Sequence, residues 1–227
     1  MKYFTYVGNS IKEFAKQITE DDGKGPRLYQ TPNGDIYPSI TEVLSVISEE
    51  HIQKWKERVG EKRAKKECEY ALDRGNEIHK IAELYLLNKP IDLTAFKLNS
   101  IMFFNQLKRY VELIDNIQAQ ETPLFSDYFR LAGRCDCIAE YKGVLSVVDF
   151  KGAKRAKTKD VIEAYFYQTA FYAYAYYEPT GIKIPQTVIL MANEDGGSQA
   201  FIEKPYPWWK NLKEIRKLWQ LKHPEIQ

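Results

Sequence analysis

Two aspartates and one lysine in the second half of the chain have a spacing that suits metal-assisted hydrolysis. Asp136, Asp149 and Lys151 form a D-x(12)-D-x-K pattern interrupted by Lys142-Gly143. A two-residue turn at Lys142-Gly143 predicts a β-hairpin, in which the two aspartates lie directly opposite each other with their Cβ atoms about 5 Å apart. Lys151, two residues beyond Asp149, projects from the same face.

Like charges placed opposite each other destabilise a hairpin, and a divalent cation between them removes that repulsion. Oxygen ligands favour Mg²⁺, with Mn²⁺ as a substitute, and one or two ions are expected. The neighbouring lysine can stabilise charge that develops on a phosphate. The alternative is that both aspartates are surface charges paired with Arg134 and Lys151. The apolar run VLSVVDFK and the glycine before the first aspartate favour a site.

Three further residues are candidates for the same site. His79 lies in a helical pattern whose apolar residues face a core, so it is either a metal ligand or a structural histidine. Glu83 follows one turn later and could orient the imidazole ring. Glu121 begins a predicted strand, and we interpret it as a strand-edge charge rather than a ligand.

Further polar and basic residues lie outside the proposed metal site. Gln168 and Tyr172 are one helical turn apart and therefore share one side of a helix. The basic segment KGAKRAKTK after Asp149 is either a solvated loop or a phosphate-binding lip. The helical segment 54–66 carries mixed charges, a pattern that is typical of a solvated helix face. The candidate DNA-binding residues are Lys62, Arg63, Lys65, Lys66, Lys154, Arg155 and Lys157.

The elements that must position these residues change character near residue 120. Residues 1–119 are mainly helical: Ser39 or Thr41 caps a first helix, Gly75 interrupts the next helical segment, and a further helix spans about 93–119. Residues 120–227 predict the order β-β-β-α-β-β-α, with a helix ended by Pro179. The expected fold class is α/β (mixed α+β), a sheet flanked by helices with a helical N-terminal elaboration, in a single domain over 1–227.

Composition excludes several classes of protein. The net charge of +2 among 33 basic and 31 acidic residues does not suit a histone-like protein. The three cysteines are too few for a four-cysteine metal site, and they favour a reducing, intracellular compartment. No apolar run is long enough to cross a membrane, and we expect no membrane partner.

The segment GRCDCIAEYKGVLSVVDFK followed by QTAFY resembles the PD-(D/E)XK nuclease superfamily. The likeness is to its RecB-like branch, the group of mitochondrial genome maintenance exonucleases and their phage relatives. YPSITEVL and GNEIHKIAE resemble earlier signatures of that group, so the likeness covers most of the chain. Gly152 departs from the pattern, which commonly has threonine there.

The resemblance implies a restriction-endonuclease-like core sheet and a role for each matching residue. Asp136, Asp149, the Phe150 carbonyl and His79 would bind metal, and Lys151 would be catalytic. Gln168 and Tyr172 would support the lysine or contact DNA, and segment 54–66 would form an arch over the site. We therefore expect a monomeric, Mg²⁺-dependent exonuclease that degrades single-stranded DNA from free ends in replication, recombination or repair. The alternatives are a structure-specific endonuclease and a non-catalytic nucleic-acid-binding protein.

Overall fold

A five-stranded mixed sheet forms the centre of the molecule, and helices cover both of its faces. The computed structural model describes residues 2–8, 11–19 and 25–226. Within them, the strands are β1 (Lys16–Gln17), β2 (Leu28–Gln30), β3 (Ile36–Pro38), β4 (Ile114–Ser126), β5 (Leu131–Tyr141), β6 (Val144–Ala153), β7 (Gln186–Asn193) and β8 (Ser198–Glu203). The helices are α1 (Ile40–Val59), α2 (Glu61–Leu86), α3 (Leu98–Val111), α4 (Glu163–Thr180) and α5 (Tyr206–Lys222).

The central sheet has the strand order β4-β5-β6-β7-β8. Its pairs are antiparallel except β6 with β7, which are parallel and connected through α4. The predicted hairpin is confirmed, because Tyr141 pairs with Val144 and the same register continues to Cys137 and Val148. The predicted order β-β-β-α-β-β-α and the mixed α/β class are also confirmed.

Each face of the sheet has its own apolar core, and helices α1 and α2 belong to different ones. On one face, Ile40 and Val43 of α1 pack with α4 and α5. On the other face, Ile78 and Ile81 of α2 pack with α3. The apolar faces of α1 and α2 therefore pack against opposite faces of the sheet.

A small antiparallel sheet, β1-β2-β3, precedes α1 and contacts β5 of the large sheet. The Ser39 backbone N–H donates to the Arg27 carbonyl at 2.8 Å, and Ser39 forms an isolated parallel bridge with Ala132 of β5. The Ser39 hydroxyl accepts a hydrogen bond from the Glu42 backbone N–H at 3.1 Å, which confirms Ser39 as the helix cap.

Gly60 is the single residue between α1 and α2. Its φ of 83° and ψ of 145° belong to a region that is essentially restricted to glycine. Only Ala64 is buried between Leu44 of α1 and Arg74 of α2, all of which the structure describes. Residues 45–73 therefore form a largely exposed two-helix segment, which we call the arm, and only its first residues, Val46 and Ile47, pack against the core.

Three boundaries differ from the prediction. The helix expected over 93–119 ends at Val111, and residues from Ile114 onward belong to β4. The register of β4 shifts between Asp115 and Ala119, and this irregularity buries Ile114 and Ile117 at a spacing that resembles a helix. Gly75 lies inside α2 rather than at a break. Helix α4 continues past Pro179 to Thr180 and is capped by Gly181 in the left-handed conformation. No helix among the described residues is both long and apolar enough to span a bilayer.

Candidate active site

An open cleft of about 730 Å³ lies between α2 and the central sheet. Its walls bring together residues that the sequence separates by almost a hundred positions. The predicted site residues that line the cleft are His79, Asp136, Phe150, Lys151, Gln168 and Tyr172.

The buried Asp136 carboxylate is held from two directions. Its Oδ2 accepts a hydrogen bond from the Phe150 backbone N–H at 2.9 Å and lies 3.3 Å from His79 Nδ1. Burial alone would raise the pKa of Asp136, but His79, Lys151 and the Phe150 N–H together hold it below its usual value. Burial would lower the pKa of His79, and the Asp136 carboxylate outweighs that effect and raises it. Asp136 is therefore anionic near neutral pH and faces an imidazole.

Lys151 and Asp149 form a buried ion pair on β6. Lys151 Nζ lies 2.7 Å from Asp149 Oδ2 and 2.8 Å from Oδ1, and 5.1 Å from the centre of the Tyr165 ring. Burial raises the pKa of Asp149 to about 6 against the opposing effect of Lys151. Burial would lower the pKa of Lys151, but the Asp149 and Asp136 carboxylates raise it above its usual value. The lysine is therefore a fixed cation.

The expected direct pairing of Asp136 with Asp149 is not observed. The β5–β6 ladder ends at Cys137 and Val148, one step before the two aspartates. The Asp136 carboxylate instead binds the Phe150 backbone N–H, and Asp149 turns toward Lys151. The two carboxylates thus take separate partners, and this separation relieves the repulsion that the hairpin register implied.

Glu121 lies inside the site, contrary to its interpretation as a strand-edge charge. It lies on β4 between two residues that pair with Cys137 and Cys135, so it faces Asp136 on the neighbouring strand. Its backbone φ is 45°, an uncommon value for a residue with a side chain. Burial raises the pKa of Glu121 to about 7, and the Asp136 carboxylate adds to that effect.

Three ligand atoms converge at this point of the cleft. The side chains of His79, Glu121 and Asp136 each offer one, and these atoms lie within 4.8 Å of one another. Two carboxylates and one imidazole suit a small divalent cation, and a cation would offset the unfavourable proximity of the carboxylates. In addition, buried Asp149 Oδ2 receives no hydrogen bond of good geometry within the described part of the chain. The donor set therefore fits a divalent metal ion.

Gln168 and Tyr172 close the inner wall of the cleft from α4. Both side chains are buried, and they lie one turn apart on α4. A Cβ atom on Gly133 would lie 2.9 Å from the Tyr172 hydroxyl, so only glycine allows β5 to approach α4 this closely. The glycine that precedes Asp136 in the sequence therefore permits the close packing of Tyr172.

The predicted DNA-binding residues lie outside the cleft. Arg63 and Lys154 approach the same glutamate, Glu67, at 2.9 and 3.6 Å, which joins α2 to the segment after β6. Lys62 and Lys66 are exposed on the arm. None of the seven basic residues, all of them described, lines the cleft. Their contact with DNA stays a prediction.

This chain is similar to several known proteins. The family model of the PD-(D/E)XK nuclease superfamily matches residues 43–194. Mitochondrial genome maintenance exonuclease 1 of Mus musculus is 26% identical over 129 residues, which cover 53% of this chain and 38% of that protein. This chain therefore spans well under half the length of that relative. A crystal structure from Eubacterium rectale, named as a putative exonuclease, has a TM-score of 0.47 and 15% identity, with 69% of each chain covered. The family match spans most of the chain and includes the whole hairpin with Asp136, Asp149 and Lys151. The chain therefore belongs to the PD-(D/E)XK nuclease superfamily.

Proposed function

We propose that this protein is a metal-dependent DNA exonuclease that degrades single strands from free ends. One observation carries the proposal: a divalent-cation donor set, His79, Glu121 and Asp136, lies beside the Lys151 ammonium in one open cleft. Nucleases of this superfamily use divalent metals, and the name of the Mus musculus relative supports exonuclease activity. We further propose that the described chain acts as one monomeric nuclease domain.

The residues that would hold Mg²⁺ are His79, Glu121 and Asp136, with Asp149 and the Phe150 carbonyl as further candidates. When bound, the ion supplies Lewis acidity toward a phosphoryl oxygen and lowers the pKa of water. The Phe150 N–H keeps one oxygen of Asp136 in place, so the carboxylate needs little rearrangement to serve as a ligand.

Lys151 has a separate task in this proposal. The Asp149 carboxylate and the ring of Tyr165 keep its ammonium group in position at the cleft wall. A fixed cation there stabilises the negative charge that develops on the phosphate during hydrolysis. Asp149 acts as the positioning group, and the buried Gln168 and Tyr172 support the wall behind it.

The preference for single-stranded ends rests on the arm. Residues 45–73 extend from α1 on one face of the sheet to α2 on the other, and the cleft is lined by residues of both helices, including Thr41 and Leu72. The basic side chains of the arm, including Lys62 and Lys66, would contact phosphates without regard to sequence. We propose that a strand passes beneath the arm, which admits one strand but not a duplex.

A comparison of linear and circular substrates tests the proposal. End-labelled linear single-stranded DNA should be shortened progressively in Mg²⁺, and a closed circle of the same sequence should survive. The Asp136→Asn variant and a reaction with EDTA are the controls, and neither should produce cleavage. Rapid cutting of the circle would identify an endonuclease instead. Binding of both substrates without any Mg²⁺- or Mn²⁺-dependent cleavage would favour a non-catalytic protein.

A further inference from the structure

Arg134 is a charged residue in an otherwise buried strand. Of the eleven residues of β5, all described, only Arg134 is exposed. Strands with neighbours on both sides and helices on both faces normally carry apolar residues, so an exposed cation here needs a reason. The exposure results from the cleft, because Arg134 is one of the residues that line it.

Arg134 is placed next to the proposed chemistry without being part of the metal donor set. It precedes Asp136 by two residues, a separation of about 6.6 Å along an extended strand. It pairs with Pro123 of β4, which lies two residues beyond Glu121 on that strand. No carboxylate within the described residues forms an ion pair with Arg134, so its fork of N–H donors is available to a ligand.

A second arginine reaches the same cleft from the small N-terminal sheet. Arg27 immediately precedes β2, and its carbonyl accepts the hydrogen bond from Ser39, which itself bridges to Ala132 of β5. This lateral connection places Arg27 on the wall formed by the small sheet, and its side chain lines the cleft together with Arg134. Arg27 precedes the segment matched by the family model, residues 43–194, so the small sheet adds this cation to the nuclease core.

We propose that Arg134 and Arg27 form a phosphate subsite that binds the phosphodiester group next to the scissile one. Guanidinium groups present paired donors that match the non-bridging oxygens of a phosphate. The three carboxylates Glu121, Asp136 and Asp149 repel a polyanion, and a neighbouring cationic subsite offsets this repulsion along the strand. The inference rests on the proposed function, because it assumes that the ligand is a nucleic acid strand.

This assignment predicts an effect on binding more than on chemistry. Arg134→Ala should raise KM for single-stranded DNA about tenfold, the loss expected for a hydrogen bond to a charged group, and should change kcat much less. Arg134→Lys keeps the positive charge but loses the paired N–H donors, so its KM should lie between those of the wild type and Arg134→Ala. Lys217→Ala, which removes an exposed cation of α5 that pairs with Glu214, is the matched control and should behave as the wild type.

The decisive test replaces single phosphates with neutral methylphosphonates. A set of single-stranded oligonucleotides, each with one neutral linkage at a defined position, is digested in Mg²⁺ and the pauses are mapped on a gel. The wild type should cut about tenfold more slowly at the bond on one side of the neutral linkage. In Arg134→Ala and Arg27→Ala this position-specific slowing should be lost or reduced, because the partner of the phosphate is already missing. Melting temperatures confirm that each variant is folded, and Arg134→Lys or Arg27→Lys replaces the alanine variant at that position if it is not.

The outcomes separate this inference from the proposed function. Equal slowing in the wild type and in both arginine variants, or no slowing at all, would refute the subsite while the nuclease assignment stands. The same oligonucleotides are also tested for binding in Ca²⁺ by fluorescence anisotropy. If the wild type never cleaves but loses affinity at one neutral linkage in an Arg134-dependent way, the nuclease proposal fails and the subsite is supported.

Discussion

Replacement of Glu121 by glutamine should stabilise the metal-free protein while it abolishes cleavage. Glu121 faces Asp136, and burial together with that carboxylate raises its pKa from 4.5 to about 7. Each pKa unit corresponds to about 1.4 kcal/mol, so an ionised Glu121 costs roughly 3 kcal/mol before screening. The side chain keeps some contact with solvent in the open cleft, which reduces our expectation to about 1–2 kcal/mol.

The pH dependence of the free energy of unfolding follows from the raised pKa of Glu121. The folded protein holds the Glu121 proton more tightly than the unfolded chain does, so this residue favours folding below pH 4.5. That contribution is lost as the pH rises from 4.5 through 7. The difference in the free energy of unfolding, Glu121→Gln minus wild type, should therefore be most positive at pH 8, and lower by about 1–2 kcal/mol near pH 4.5.

Urea unfolding in EDTA at several pH values measures this difference. The matched control is Glu140→Gln, which alters a half-buried glutamate of β5 outside the cleft whose carboxylate accepts a hydrogen bond from Asn116 at 2.9 Å. Parallel pH profiles for wild type and Glu121→Gln would refute the reasoning. Addition of Mg²⁺ should raise the melting temperature of the wild type more than that of the variant, because a ligand is missing.

Three other perturbations have expected outcomes. Asp149→Asn should destabilise the protein by about 3 kcal/mol, because it leaves the buried Lys151 ammonium without its partner, and adding Lys151→Met should restore stability in urea unfolding. An Asp149→Asn variant that is as stable as the wild type would contradict this expectation. Gly133→Ala should lower stability by about 1–3 kcal/mol, since its Cβ would lie 2.9 Å from the Tyr172 hydroxyl, and Tyr172→Phe should recover part of the loss by the same measurement. With Ca²⁺ in place of Mg²⁺, DNA should bind in an anisotropy assay and remain uncut on a gel, and full turnover in Ca²⁺ would argue against the proposed chemistry.

The hairpin was predictable because residues close together in the sequence determine it. The turn at Lys142-Gly143 sets the register, and period-two geometry then places Lys151 beside Asp149. Ser39 as a helix cap is local in the same sense. The family resemblance added His79, which lies on α2 and which no spacing in the hairpin could have connected to Asp136.

The role of Glu121 could not be predicted because it depends on the pairing of β4 with β5. The residues before Glu121 have a bulge that imitates helical spacing at Ile114 and Ile117, so the start of β4 was assigned to a helix. Without the beginning of β4 its register against β5 is undefined, and Glu121 cannot be placed opposite Asp136. The signal available was a carboxylate at the start of the predicted strand that precedes the hairpin.

If DNA passes beneath the arm as proposed, the attachment of α1 and α2 to opposite faces of the sheet would limit how a strand reaches the cleft. The chain crosses from one core to the other through the arm, with Gly60 as its only interruption. To admit DNA from the side, the arm would have to lift away from one face, for example by exposing Ile40, Val43 and Leu44 of α1. Exposure of three such side chains costs roughly 5–9 kcal/mol, so fewer than about one molecule in several thousand would be open at any moment. A strand beneath the arm would therefore leave mainly by sliding along its own axis, which favours many successive cuts in a single encounter.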